Sequence, residues 1–401
     1  MKKVSLLLAG IGGYGATYVS ALLAAADGGE FTIAGVADPY YDASPHLEDL
    51  LRLGARPYRS VEEFYRENSA ELAIVSTPIQ FHGDHVEQAV GHGSHVLCEK
   101  PLGATLAEGR RILDAQSRSG RFVAIGYQWS YSQAIRTLKA DILDGRFGRP
   151  RRLRALVLWP RNLSYFRRPW AGRQYVDGRA VFDSVANNAA AHYLHNMLFV
   201  LGGRPDESAE PLSVTAELYR ANAIENFDTA AMRITTGSGA EILFIAAHPV
   251  ERTRNPVFHF AFEKGDAYCD ENAQITAVFR NGERREYGNA GADPDNKLWE
   301  AIAAVRSGAP LSCTARTALP HTLCIEAARQ SVPEIPAFPG ELVRTDENRQ
   351  LVYARGLFDG LQGCYDNWRL PSEMGFAWAR RGGEVDARAL LMGSRKLKAR
   401  I

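Results

Sequence analysis

Two short stretches of this sequence carry side chains suited to moving a proton and steadying a developing negative charge. In Glu99-Lys100-Pro101 a lysine follows an apolar run that ends at Cys98, where its cation could polarise or orient a substrate oxygen. In Asn188-Ala189-Ala190-Ala191-His192-Tyr193-Leu194-His195, spacings of three and four predict that Asn188, His192 and His195 share one face of an apolar helix. His192 is the natural proton shuttle, because an imidazole titrates near neutrality. A third stretch, Trp159 to Trp170, interleaves aromatic rings with Arg161, Arg167 and Arg168. Together Trp159, Arg161 and Tyr165 suit the apolar faces and hydroxyls of a sugar ring, and equally they could hold down a long loop.

Positioning such groups requires a frame, and the first residues supply one. Val4 to Leu8 is a short apolar run that opens into Gly10-Ile11-Gly12-Gly13-Tyr14-Gly15, followed by a helix-like run from Thr17 to Ala26. In that strand–turn–helix setting Gly10 permits the tight turn, Gly12 lets a pyrophosphate approach, and Gly15 allows the helix to pack on the strand. The free N–H groups at the helix start, Gly13 and Tyr14 among them, favour negative charge. A second strand, Phe31 to Ala37, ends in Asp38, which can accept both adenosine ribose hydroxyls and would repel a 2′-phosphate. Pro39, Tyr40 and Tyr41 follow with no adjacent Arg or Lys. NAD is therefore the expected cofactor, ahead of NADP.

Alternating strands and helices continue to Gly126: Leu72 to Ser76, Asp84 to Val90, His95 to Cys98, Leu106 to Ser119 and Phe122 to Ile125. This alternation predicts a doubly wound parallel sheet with cofactor groups at the strands' carboxyl ends. Thr77, Glu99 and Gly126 then join Gly10 and Asp38 at the strand ends as cofactor candidates; Pro78, His82 and Lys100 are further cofactor candidates, and Tyr127 and Gln128 follow the last strand as substrate and cofactor candidates.

Beyond Gly126 the pattern changes to long runs with period-two alternation, Arg151 to Trp159, Val214 to Tyr219, Thr229 to Thr235, Glu241 to Ala246 and Val257 to Phe262, as in an antiparallel sheet. Helices are expected at 132–144, 189–201, 297–306 and 317–331. The reading is thus α/β: a Rossmann domain over 1–126, an α+β domain with an open, mostly antiparallel sheet over 127–331, and a C-terminal extension over 332–401 of unassigned role.

Composition narrows the partners. A formal net charge of +1 over 401 residues provides no field for nucleic acid or membrane. No stretch is apolar enough to span a bilayer. Met1-Lys2-Lys3 before an apolar run imitates a secretory leader, but the glycines interrupt it, so a cytoplasmic protein is expected. Five scattered cysteines form no CxxC pair. The pairs His82/His85, His92/His95 and His192/His195 lack a carboxylate cluster, and no metal is expected.

The motifs together resemble the glucose-fructose oxidoreductase / inositol dehydrogenase / rhizopine-catabolism (Gfo/Idh/MocA) family. The matching residues are Gly10 to Gly15, Asp38, Ser76-Thr77-Pro78 with His82, Gly93 to Pro101, Gly145-Arg146-Phe147-Gly148, and His192 to His195 through Leu201-Gly202. The resemblance implies NAD(P)-dependent oxidation or reduction of a sugar or cyclitol hydroxyl. It implies Lys100 and His192 as the catalytic pair and position 195 in contact with substrate. It also implies a sheet that often forms the oligomer interface, hence a homodimer or homotetramer. Departures are Asn188 where the family usually has Asp, and His195 where it has Asp or Asn; Ile79 and Ser130 replace a common Asn and Arg. Two other outcomes stay open on this fold: NAD-recycling cleavage of a glycoside through a transient keto-sugar, and a non-enzymatic NAD-sensing regulator.

Overall fold

The computed structural model describes residues 3–398; Met1 and Lys2, the start that imitates a leader, lie outside them. The chain divides into two units, one of residues 1–131 with 293–319, the other of residues 132–292 with 320–401.

The first unit is built on a six-stranded sheet: β1 (Val4–Ala9), β2 (Phe31–Ala37), β3 (Arg56–Tyr58), β4 (Leu72–Val75), β5 (His95–Cys98) and β6 (Val123–Ile125). Every pairing is parallel, in the order β3-β2-β1-β4-β5-β6. The expected doubly wound sheet is present. Its order reverses between β1 and β4, so the loops after these two strands part and leave a crevice at their carboxyl ends. The strands are near-continuous apolar runs because both faces are covered; Leu6, Leu8, Ile33, Val36, Leu72 and Ile74 are all buried in one cluster. The helix Asn296–Ser307 returns to this cluster through Leu298, Ala301 and Ile302.

In the second unit a nine-stranded sheet comprises β7 (Pro150–Leu158), β10 (Pro211–Tyr219), β11 (Thr229–Thr236), β12 (Glu241–Ala247), β13 (Arg254–Phe262), β14 (Gly265–Cys269), β15 (Gln274–Phe279), β16 (Arg284–Asn289) and β19 (Val385–Asp386). Two small hairpins lie outside it, β8 (Tyr175–Val176) with β9 (Arg179–Ala180) and β17 (Val343–Asp346) with β18 (Leu351–Ala354). The order is β16-β15-β14-β13-β7-β12-β11-β10-β19, antiparallel except where β12 meets β7. The mostly antiparallel sheet is as expected, with β14 to β16 and β19 added. Leu153, Ala155 and Val157 of β7 face one side, and the helix Ala191–Val200 packs against this strand. Leu156 and Leu158 face the other, where they join Leu243, Ile245 and Tyr219 beneath Phe338, Leu357, Phe358, Leu361 and Tyr365.

That second cluster shows what the C-terminal extension does. The helix Leu357–Asn367 covers the sheet over β7 and β12, so this part of the face is closed by the chain itself rather than open to a second copy. Polar side chains on the same face are tied down too: Arg233 pairs with Glu373, and Ser372 Oγ donates to Glu217. Leu361→Ala, at a fully buried position, is expected to lower unfolding stability by about 2–5 kcal/mol, read from urea denaturation.

Candidate functional site

In the first unit, Gly10 adopts φ +85° and Gly13 φ +53°, left-handed conformations that glycine reaches without strain. A Cβ on Gly15 would lie 2.3 Å from Gly10 O and 2.8 Å from Ser76 Oγ, so the helix Gly15–Ala24 sits on the turn closer than any side chain permits. A Cβ on Gly12 or Gly13 would meet nothing within 4 Å. Close packing beneath and open space above are what a bound pyrophosphate requires. Asp38 ends β2 with Oδ2 accepting from Ile11 N at 2.9 Å and Oδ1 from Tyr40 N at 2.9 Å. This fixes its carboxylate beside the glycine turn. These residues fit a dinucleotide. Gly15→Ala is expected to weaken NAD binding about 10-fold or more, by isothermal titration, since helix and turn must separate to admit the methyl.

The strand ends beyond β4 and β5 are cross-tied. Thr77 Oγ1 lies 3.0 Å from His85 Nδ1, and the ring of His82 bridges the carbonyls of Pro101 and Thr77, each at 2.9 Å. His82 is buried and acts between two strand ends rather than at the crevice surface. Pro78 starts the short turn Ile79–Phe81, and the Lys100–Pro101 bond is cis. Lys100 is half-buried. Glu99, placed by the sequence among the cofactor residues, lies inside: its carboxylate accepts from Tyr18 Oη at 2.6 Å and Lys100 N at 3.2 Å, and it pairs with buried Lys297. Burial alone would raise its pKa, but the Lys297 ammonium and the Tyr18 hydroxyl overrule it and hold the carboxyl below the usual range. Lys297 Nζ also donates to Tyr14 Oη at 3.0 Å, and Tyr14 reaches Gln128 Oε1 at 3.3 Å. The glycine turn, the Glu99 strand end and the residue after β6 are thereby one hydrogen-bonded group. Tyr127 is fully buried.

In the second unit the expected single helix is two pieces. A π-turn over Val185–Ala189 precedes the α-helix Ala191–Val200, so three-and-four spacing does not carry through Ala190. Asn188 and His192 nevertheless share partial exposure, whereas His195 is fully buried, its ring stacked at 6.0 Å on Phe199. Burial, with His321 and Lys139 nearby, pushes the His195 pKa well down. Asn188 Nδ2 donates to Asp183 Oδ1 at 2.7 Å; Asp183 Oδ2 accepts from Gly172 N at 2.7 Å. His192 lies edge-on to Tyr193 at 6.3 Å, and Tyr193 edge-on to Trp159 at 5.7 Å. Arg161 stands 5.4 Å from the Trp159 ring and 5.0 Å from the Tyr165 ring. The aromatic segment thus leads along ring contacts to the start of the histidine helix.

Residues 4–127 match the family described as an oxidoreductase family with an NAD-binding Rossmann fold, and residues 135–268 match that family's C-terminal domain. The chain belongs to the Gfo/Idh/MocA family. Residues 4–127 of its first unit are the family's NAD-binding Rossmann domain. Among curated relatives, 1-carboxy-3-chloro-3,4-dihydroxycyclohexa-1,5-diene dehydrogenase of Comamonas testosteroni is 34% identical over 97 residues, 24% of either chain. The 1,5-anhydro-D-fructose reductase of Ensifer adhaerens is 31% identical over 153 residues, 37% of this chain and 43% of that one. The chain therefore spans less than half the length of these relatives. The WlbA dehydrogenase of Bordetella pertussis, solved with NADH and UDP-GlcNAcA, shares the fold at TM-score 0.67 and 21% identity, over 82% of this chain and 98% of that one.

Three residues of this Gfo/Idh/MocA chain escape sequence reasoning. Lys297 lies far along the chain from Glu99, and nothing local marks it as a buried ion-pair partner. Asp183 supplies a carboxylate to Asn188 from outside the motif. Arg59, just after β3, reaches the end of β2, donating to Pro39 O at 2.6 Å, pairing with Asp42 at 3.1 Å and standing 4.4 Å over Tyr41. A cation is thus near the adenosine end after all, although the sequence has none adjacent, and Asp42 already engages it. Among the described residues, no three His, Cys, Asp or Glu are arranged to hold a metal, and no helix is long and apolar enough to cross a membrane.

Proposed function

We propose that this chain is an NAD-dependent dehydrogenase acting on a secondary hydroxyl of a sugar, sugar derivative or cyclitol, with Lys100 and His192 as its catalytic pair. The observation that carries the reading is the exposure of residues 181–201: Asn188, Ala189 and His192 alone break an otherwise buried stretch. An imidazole and a carboxamide kept at the surface of a buried helical segment, at a π-turn, have the placement of working groups. The names of the relatives, a dihydroxycyclohexadiene dehydrogenase and an anhydrofructose reductase, support a cyclic hydroxylated substrate.

Bound NAD supplies the hydride acceptor. On the protein side, His192 takes the hydroxyl proton as the carbinol C–H bond breaks and a carbonyl forms. The Lys100 ammonium holds the same oxygen and stabilises its negative charge. Asn188, anchored by Asp183, orients substrate beside His192. Asp38 receives the ribose hydroxyls and disfavours a 2′-phosphate.

The test is to incubate the chain with NAD and a panel of neutral sugars, uronates and cyclitols, recording NADH and identifying products. One member should give NADH in stoichiometric yield with its ketone. No NADH formed from any of them, and none consumed with the corresponding ketones, would overturn the proposal. Glycoside cleavage with catalytic NAD and no NADH accumulation would replace it with the NAD-recycling reaction.

A further inference from the structure

A cavity of about 550 Å³ in the second unit has Arg161, Arg168 and Arg349 in its lining, together with Asn162, Ser164 and Tyr165. Among the described residues no carboxylate pairs with any of the three guanidinium groups. Arg161 Nε is buried and donates to nothing among those residues. Arg168 spends only its Nε, on Tyr165 O at 3.0 Å, and Arg349 only one Nη, on Glu251 O at 2.6 Å. Arg168 stands 3.8 Å over the Tyr165 ring and 4.4 Å over the Trp170 ring. Carboxyl groups border this neighbourhood as well: Asp183, whose charge acts on the Tyr165 hydroxyl together with those of Arg168 and Arg161, Asp346, whose Oδ1 accepts Arg349 N at 3.1 Å, and Glu251, whose backbone carbonyl accepts from Arg349. The field is felt by His248, which is buried and packed 5.5 Å from Tyr165; burial first, then Arg161 and Arg168, push its pKa down to about 3.

Three like charges gathered round one cavity repel one another unless an anion enters, and guanidinium groups bind carboxylate and phosphate through paired N–H donors. We propose that this cavity holds the anionic group of the substrate, a carboxylate or phosphate carried on a carbohydrate, with the Tyr165 and Trp159 rings against the sugar. This rests on the proposed dehydrogenase reading and narrows its substrate class. It also gives the C-terminal extension a role. Arg349 and Leu351 belong to it, pinned to the loop by Leu163 N donating to Gln350 O at 2.8 Å and by the Asn162–Leu351 bridge. The stretch matching the family's C-terminal domain ends at residue 268, so this wall of the cavity is added outside it.

The experiment is calorimetric titration of the full chain, with NAD present, using D-glucose, D-glucuronate, D-glucose 6-phosphate and inorganic phosphate. At least one sugar anion is expected to bind about 10-fold or more tightly than glucose, weakening with added salt. The glucuronate and glucose 6-phosphate arms distinguish carboxylate from phosphate. Arg168→Ala and Arg349→Ala, both exposed positions, should each cut that affinity about 10- to 100-fold with unchanged unfolding transitions and NAD affinity, and Arg349→Lys should recover part. If neither sugar anion outbinds glucose, or inorganic phosphate alone binds, or the variants bind as the parent does, the proposal fails. Because binding is read without turnover, sugar-anion capture would leave this site standing even where the whole panel gives no redox turnover and the dehydrogenase reading falls.

Discussion

His192→Ala is expected to lower kcat by about 10²–10⁴-fold, the range a positioned general base contributes, with the affinity for NAD unchanged. His192 belongs to the second unit and the dinucleotide-fitting turn at Gly10–Gly15 to the first. In the proposed mechanism this imidazole takes part only through the substrate's hydroxyl proton. Lys100→Ala should cost a comparable factor in kcat through lost stabilisation of the developing oxyanion, again sparing NAD. Steady-state kinetics beside NAD titration on each variant decides the matter. Unchanged turnover in both would remove the pair from the mechanism, and a parallel loss of NAD affinity would reassign them to cofactor binding.

Lys297→Met carries the largest expected effect on stability. The Lys297 ammonium is buried against the Glu99 carboxylate. Removing it leaves a buried carboxylate with Tyr18 Oη, a backbone N–H and the weaker influence of Lys100 in place of its paired ammonium, which costs about 3–5 kcal/mol. Glu99→Gln in the same chain should return at least half of that, because a neutral amide tolerates the interior. The pH dependence has a definite sign. The Glu99 pKa is held down in the fold, so its stabilisation is present above the unfolded carboxyl value and lost as pH falls through the lowered folded one. The Lys297 pKa is pulled down by burial, but Glu99 and Tyr14 together raise it on balance, so its share is complete below the unfolded lysine value and lost as pH rises through the raised folded one. Urea unfolding of parent and variant should therefore differ most near neutrality and converge in strong acid. A constant difference at all pH values would mean that the lysine acts by packing alone. NAD affinity should fall as well, since Lys297 also anchors Tyr14 in the glycine turn.

The sequence alone determined what depends on neighbouring residues. The glycine turn between β1 and its helix, Asp38 at the end of β2, the alternation that builds a parallel sheet, and the period-two runs of the second sheet are local patterns: each residue's φ preference or burial is set within a few positions of itself. The family was legible for the same reason. Only the tertiary structure decided the rest. That helix Asn296–Ser307 packs into the first sheet, that Lys297 closes on Glu99 and Arg59 on Asp42, that His195 faces the core while His192 reaches solvent, and that the C-terminal extension covers β7 and β12 and brings Arg349 to the aromatic loop are all contacts between distant segments. A charge or ring carries no mark of which partner it will meet. Burial, counter-charge and exposure become properties of these residues only once the sheets have brought remote parts of the chain together.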